Sequence, residues 1–423
     1  MSDDRRLGVV RLPYMVGVYL GVNAFPDVWL VVDGPDCLFF KAEYVHGSQD
    51  LHSTLLSPTG RHRVAHTLAD TVNVVTDREP VVADLIRRVA ARDEAAMVLV
   101  TAMPMASITG SQYDRIGREV AASVGKPIVD VPARSLDGDW LDGYAEVLEG
   151  VARGIPLPAA ERDDGAVAIV GLLADRTEAD RLADVVEVRR MLAAGLGLDV
   201  AAVWPSNAPL AALAGVARAG TIVSLPYGRK AARTLAKRTR ARLVETDLPV
   251  GVEASSRWVR AVGEATGRAD RAGAFVAAES REATPAIEAA SSRGLAGGSW
   301  AVVADPHLAA GLVSFAADVG ASVAAVLSTR HPARPVAGLP GREAFSHEAG
   351  LRADLCLCTT RGIEVATEFG LPWMEVGFPS YGTHALAPVP TLGFRGAVAL
   401  AGRVWNHVRF LRDRAPAAAP RAR

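Results

Sequence analysis

Short continuous apolar runs, each closed by Gly, Asp, Ser, Thr or a similar breaker and followed by a longer amphipathic stretch, recur along the chain in three rounds. Runs that are apolar on both faces suit strands buried in a parallel sheet covered by helices. The first round has runs at 28–32, 72–75, 97–101 and 127–131; the second at 166–171, 198–203, 221–225 and 242–245; the third at 300–304, 322–327, 353–358 and 373–376. Helical periodicity fills 81–91, 178–195, 207–219 and 230–238. Each round reads as β-α-β-α-β with right-handed crossovers. The pattern therefore predicts an α/β fold of three Rossmann-like domains, each a parallel sheet flanked by helices.

Changes in composition place the boundaries. Residues 154–165, rich in Pro and charge, read as a linker, and the Gly/Ser-rich stretch 291–299 precedes the third round. The expected domains are 1–155, 156–290 and 291–412, the last with a C-terminal helix, and 413–423 reads as a disordered tail of Ala, Pro and Arg. Ligands of such sheets sit beyond the carboxyl ends of strands, so the residues just after each apolar run are the ones to inspect.

Composition narrows the partners. The 423 residues are half hydrophobic and carry a formal net charge of −1, which gives no electrostatic reason to expect nucleic acid or an anionic membrane. No charge-free apolar run is long enough to span a bilayer, and the start lacks the pattern of a secretory signal. Three cysteines, an odd and low number, argue against a disulfide framework. A cytoplasmic protein with reduced thiols is expected.

After the first run comes Asp33-Gly34-Pro35-Asp36-Cys37, a tight turn that projects a cysteine from a strand's carboxyl end. A thiolate there can hold iron or zinc or act as a nucleophile; the competing reading is a buried, unreactive cysteine. The next stretch is dense in polar groups: Lys41, Glu43, His46, Asp50 and His52, followed by Arg61, His62, Arg63 and His66. These suit a substrate pocket with proton donors, a partner interface, or a solvated helix and loop. Cys356 and Cys358 alternate within an apolar run, which reads as small-residue packing before it reads as a metal pair. Neither a P-loop nor a Gly-x-Gly-x-x-Gly turn follows the first strands, so no nucleotide site of those kinds is expected.

The Asp33–Cys37 turn resembles the His-Gly-Pro-x-Gly-Cys-like turn of the nitrogenase component 1 family, with Asp for His and one residue fewer before the cysteine. Further similarities follow in the same order. Pro127-Ile-Val-Asp-Val is followed by Gly138-Asp-Trp-Leu-Asp-Gly143; Val167-Ala-Ile-Val-Gly-Leu172 opens the second round. Near the end come Gly362-Ile-Glu-Val-Ala-Thr-Glu-Phe-Gly-Leu-Pro372, Val376-Gly-Phe-Pro-Ser-Tyr381 and Gly393-Phe-Arg-Gly-Ala397. The resemblance implies an oxidoreductase subunit in which Cys37, with Gly34 and Asp36 beside it, binds an iron–sulfur cluster of the 4Fe–4S kind. It also implies electrons from a separate ATP-dependent iron protein and reduction of a small-molecule substrate.

The departures from the family pattern shape that expectation. Members that hold the bridging cluster unaided place three cysteines on three loops. Here the loop around 12–17 has none, and the loop 101–110 offers Met103 and Met105 instead. A cubane wants four thiolate-type ligands. The rest must come from a homologous component 1-type subunit, in a homo- or heterodimer or a tetramer, or from non-Cys ligands such as Asp36 or His46. The second domain also lacks the cysteine that holds the family's metallocofactor, while His384 lies near the expected C-terminal histidine. Lys41, Glu43, His46 and His384 are the candidate proton-handling residues. Two other readings stand beside this one: a non-catalytic scaffold for metallocofactor assembly, and a metal-free enzyme binding a nucleotide sugar.

Overall fold

The computed structural model describes residues 11–56, 62–70, 72–107, 110–329, 339–345 and 350–414. The expected C-terminal tail lies outside these from residue 415 onward, as does Arg61. Three parallel sheets of four strands each organise the chain, as the periodicity predicts. The first joins β1 (Val28–Asp33), β2 (Val64–His66), β3 (Met97–Ala102) and β4 (Ile128–Asp130) in the order β2-β1-β3-β4. The second joins β5 (Asp163–Val170), β6 (Asp199–Trp204), β7 (Ala219–Ser224) and β8 (Arg242–Glu245) as β6-β5-β7-β8. The third joins β9 (Ser299–Ala304), β10 (Ser322–Ser328), β11 (Leu355–Cys358) and β12 (Trp373–Glu375) as β10-β9-β11-β12.

One topology is thus used three times. In each unit the chain crosses to one side of the first strand and then to the other, so the strand order reverses beside β1, β5 and β9. Such reversals open a crevice at the carboxyl ends. The central strands are buried throughout, β1, β3 and β7 at every position, which is why they carry no polar alternation.

Two of the periodic runs need correction. The run 72–75 is not a strand: Asn73–Val75 forms a 3-10 turn. Asp70 Oδ1 accepts the backbone N–H groups of Val72 and Asn73 at 2.8 and 2.7 Å, and this local turn overrides the β propensity of the valines. The second strand is instead Val64–His66, three residues that are too short to show a period. The helix expected over 207–219 is reduced to Leu210–Leu213 and a 3-10 turn Ala214–Arg218, with Asn207 in the left-handed region before it.

Six helices matter for the site. α1 (Tyr14–Asn23) precedes β1, α2 (Leu38–Glu43) follows the Cys37 turn, and α3 (Glu79–Ala90) leads to β3. α4 (Trp140–Gly154) closes the first unit, α5 (Ala179–Arg190) follows β5, and α6 (Pro306–Asp318) follows β9. The loop expected around 12–17 is in fact the start of α1, all ten of whose residues are buried. It crosses α4 with backbones nearly touching: a Cβ on Gly17 would stand 1.7 Å from Trp140 O, and one on Gly143 2.2 Å from Tyr14 O. Asp139 caps α4 reciprocally with Asp142.

The candidate cysteine turn and the domain junction

Asp33, the last residue of β1, is fully buried and anchors the turn that follows. Its Oδ1 accepts from Arg78 Nε and Nη2 at 2.9 and 2.8 Å and from Thr67 Oγ1 at 2.6 Å; its Oδ2 accepts the Tyr113 hydroxyl at 2.8 Å. Thr67 in turn accepts Gly34 N–H at 3.1 Å, and Gly34 O accepts Ala69 N–H at 3.0 Å. A carboxylate with four donors around it is fully engaged, and the turn above it is held from both sides.

From this base the chain runs through Gly34 and Pro35 to Asp36 and Cys37, both exposed. Cys37 precedes α2 as its N-terminal flanking residue. His66, at the end of β2, lies close enough to Asp36 to feel its charge. Burial nevertheless pushes the imidazole down to about 4, with Asp36 opposing, so it is neutral at pH 7. The first unit also exposes apolar side chains: Phe40, one turn along α2, and Leu68, Val72 and Val75 in the segment after β2, where Ala69 N–H bonds Gly34 O.

The other sequence-derived candidates fall elsewhere. Glu43 is exposed on α2, and the side chain of Lys41 lies outside the described residues. His46 sits in the π-helical turn Tyr44–Gln49, its Nδ1 3.1 Å from Ser53 O, and lines an open cavity of about 640 Å³ with His52, Trp29 and Leu51. Asp50 is a structural hub: it accepts Asn23 Nδ2 at 2.8 Å, His52 N–H at 2.9 Å and Thr177 N–H at 3.2 Å, tying the first unit to the second. Gln49 accepts Ser380 N–H at 2.5 Å and ties it to the C-terminal segment. Cys356 and Cys358 are buried within β11.

At the junction of the three units, buried charges pack around a cavity of about 50 Å³. Arg181 lies between Asp175 (2.8 Å) and Asp184 (3.1 Å), and Arg176 between Glu178 (3.2 Å) and Asp180 (2.6 Å). The Tyr227 hydroxyl donates to Asp305 at 3.0 Å, and Tyr144 donates to Leu172 O at 2.7 Å. Burial pushes Asp184 and Asp305 up to about 6 and raises Asp175 as well. Carboxylates of α5 and of the residue just before it also strap the C-terminal segment: Asp184 accepts Thr391 and Leu392 N–H, and Glu178 accepts Ala385 N–H. His384 belongs to this strap, its Nδ1 2.5 Å from Glu178 and its Nε2 3.1 Å from Tyr381 O, so both ring nitrogens are occupied by oxygen partners.

An iron–sulfur cluster needs several thiolate-type ligands, and among the described residues no group of three His, Cys, Asp or Glu could hold a metal ion. A complete cluster site within one chain does not fit these residues. A single-thiolate share in one does, because Cys37 is exposed and the turn that carries it is fixed at its base. The junction cavity, lined by ion pairs and lacking a thiol, does not fit a metallocofactor.

Sequence reasoning found the turn but missed the network beneath it. Its one visible signal was Asp33 closing an apolar run, since a buried carboxylate demands donors; which donors, from Thr67, Arg78 and Tyr113, only the fold reveals.

No helix among the described residues is long and apolar enough to cross a membrane. The family model for nitrogenase component 1 type oxidoreductases matches residues 15–409. The nitrogenase iron-iron protein beta chain of Rhodobacter capsulatus is 30% identical over 211 residues, 44% of this chain and 45% of that one. The nitrogenase molybdenum-iron protein beta chain of Methanothermobacter marburgensis is 28% identical over 214 residues, 45% and 44% of the two chains. The matched stretch thus spans under half the length of either relative. Among solved structures, one described as nitrogenase Cp1 at pH 6.5 superposes with a TM-score of 0.80 at 15% identity, covering 97% of this chain and 94% of that one. At that identity the likeness speaks for the fold.

Proposed function

Because the chain belongs to the nitrogenase component 1 type oxidoreductase family, we propose that it is a redox subunit contributing Cys37 to an iron–sulfur cluster, of the 4Fe–4S kind, shared with a homologous component 1-type subunit. Electrons come from an ATP-dependent iron protein, the substrate is a small molecule, and the assembly works in the cytoplasm. When bound, the cluster supplies one-electron transfer.

The observation that carries this reading is the setting of Cys37. Its thiol is exposed at the carboxyl edge of the first sheet, where ligands of such sheets are found. The apolar side chains of Phe40, one turn along α2, and of Leu68, Val72 and Val75, in the segment that follows β2, are 75%, 58%, 77% and 83% exposed. An apolar surface of this kind is costly in water and suits burial against another protein. A homologous subunit docking there excludes water from the sulfur and supplies the ligands this chain lacks. The Asp33 network keeps the turn in place while that happens. Asp36, next to the thiol, and His46 remain the non-Cys candidates on this side, with Lys41, Glu43 and His384 as candidates for holding or moving protons.

The test is iron and acid-labile sulfide on anaerobically purified protein, alone and co-expressed with a homologous subunit, as wild type and Cys37→Ala. The expected result is iron in the co-expressed complex and none after Cys37→Ala. Iron that survives the substitution, or none in any wild-type preparation, overturns the proposal.

A further inference from the structure

Where the C-terminal helix (Gly393–Arg414) passes the turn Ser291–Leu295, a cavity of about 390 Å³ opens between them. It shares no residue with the Cys37 turn or with the cavity at the junction of the three units. Its walls include three guanidinium groups, those of Arg293, Arg409 and Arg412, and the ring of Trp405. The turn holds two of these side chains in place. Arg412 Nη2 donates to Gly294 O at 2.8 Å, and Trp405 Nε1 donates to Arg293 O at 3.4 Å. Gly294 makes the first contact possible: its φ is +128°, and a Cβ there would collide with Arg412 Nη1. The other two arginines are less engaged. Arg409 lies over Trp405, 5.6 Å from the ring centroid, and stands 3.7 Å from Asp413. The guanidinium of Arg293 has no hydrogen-bond or ion-pair partner among the described residues. Cations at the carboxyl end of a helix are favourable, which accounts for Arg409 and Arg412. It does not account for Arg293, which a different segment brings to the same cavity.

We propose that this cavity binds a phosphate monoester with a compact apolar or aromatic body. Three guanidinium charges face one carboxylate, that of Asp413, which leaves two positive charges in excess. A phosphate monoester carries about −1.5 to −2 at pH 7 and matches that excess, whereas a single carboxylate meets half of it. The planar guanidinium fork pairs with phosphate oxygens through two parallel N–H···O bonds. Arg412 spends one nitrogen on Gly294 O and keeps the rest of its five N–H donors for a ligand. Arg293, with every donor free, forms the opposite arm of the clamp. Phosphate alone underfills the cavity, whose volume lies in the range of small-molecule pockets. The remaining space, bounded by Trp405 and Val408, suits a ring or a short apolar group. The site is independent of the function proposed above, since it calls for neither Cys37 nor a partner subunit.

The test is calorimetric titration of the full chain with phenyl phosphate at low ionic strength, where exposed charges are least screened. Phenol and inorganic phosphate serve as reference probes, the first lacking the anion and the second the body. Phenyl phosphate is expected to bind one site per chain and more tightly than inorganic phosphate, with no saturable binding of phenol. Arg293 makes no side-chain bond to the rest of the fold, so its variants should keep the wild-type thermal midpoint. Arg293→Ala is expected to weaken phenyl phosphate by about tenfold, the loss of one charge-assisted contact, and Arg293→Glu to abolish its binding. Inorganic phosphate that binds as tightly as phenyl phosphate overturns the assignment of an apolar body. No saturable binding of phenyl phosphate to wild type, or binding that Arg293→Glu leaves unchanged, overturns the site itself.

Discussion

Arg78 reaches Asp33 through two nitrogens, Nε at 2.9 Å and Nη2 at 2.8 Å from the same carboxylate oxygen, with both side chains out of contact with water. Removing one member of such a pair leaves a buried charge without compensation, which costs about 3–5 kcal/mol. Asp33→Ala is expected to destabilise the protein by that order in chemical denaturation and to loosen the Cys37 turn, seen as faster hydrogen exchange at Gly34 and Ala69. The double variant Asp33→Leu, Arg78→Met, which removes both charges, should recover much of the stability. A double variant as unstable as Asp33→Ala would show that geometry, not charge, sets the cost.

The crossing of α1 and α4 depends on two glycines. Gly17 faces the carbonyl of Trp140, and Gly143 faces that of Tyr14, at separations no Cβ tolerates. Gly143→Ala must push the helices apart and disturb the fully buried Trp140 and Tyr144, costing about 1–3 kcal/mol or more. Gly402 provides the control, as a Cβ there meets nothing within 4 Å. In the C-terminal helix Gly402→Ala is expected to be neutral or stabilising by roughly 0.5–1 kcal/mol. Thermal unfolding of the two variants side by side checks both.

These elements show where legibility in the sequence begins and ends. Runs such as 97–101 and 300–304 are apolar on both faces, and burial between helix layers leaves them no other reading. The Cys37 turn was visible because Gly and Pro punctuate it. By contrast, β2 is three residues long and the run 72–75 looked more like a strand than β2 did; the deciding Asp70 turn is a side-chain interaction that periodicity does not record. α1 reads as a loop because its residues are buried all round and show no amphipathic stripe. The ion-pair junction was invisible for another reason. Asp175, Arg181, Asp184 and Asp305 look like solvated charges until α5 and the strand ends are brought together.

That junction makes stability depend on pH. Burial raises Asp305 to about 6 in the folded protein against about 4 for a free carboxyl. A carboxyl raised in this way contributes most below the unfolded value, where both states hold the proton, and the contribution is lost as pH rises through about 6. Asp305→Asn keeps an acceptor for His307 N–H and Leu308 N–H and stays neutral. The variant is therefore expected to melt about a degree or two above wild type at pH 8 and to lose that advantage progressively as pH falls from about 6 to about 4. A constant difference across that range would show that Asp305 keeps its charge state, and the cause would lie in the hydrogen bond to Tyr227.

Arg63 supports the carboxyl end of α1. Its Nη1 donates to the carbonyls of Val22, Phe25 and Val28 at 3.1, 3.0 and 2.6 Å, adding to the backbone bonds that Phe25 N–H makes to Val22 O and Val28 N–H makes to Phe25 O at the carboxyl end of the helix. Nε and Nη2 bind Thr54 Oγ1 at 3.2 and 2.9 Å, so the planar fork serves two segments at once. A lysine has one ammonium in place of that fork and cannot reach both. Arg63→Lys is expected to cost about 2 kcal/mol, from hydrogen bonds to a charged donor left unmade, despite conserving charge. Arg63→Met should cost at least as much, because three carbonyls lose a charged donor. Hydrogen exchange separates this from a general loss of stability. Amides of the last turn of α1, with Ala24 and Phe25, should exchange faster than those of β3 in either variant. Uniform acceleration across both would mean that Arg63 stabilises the first sheet as a whole and not the end of one helix.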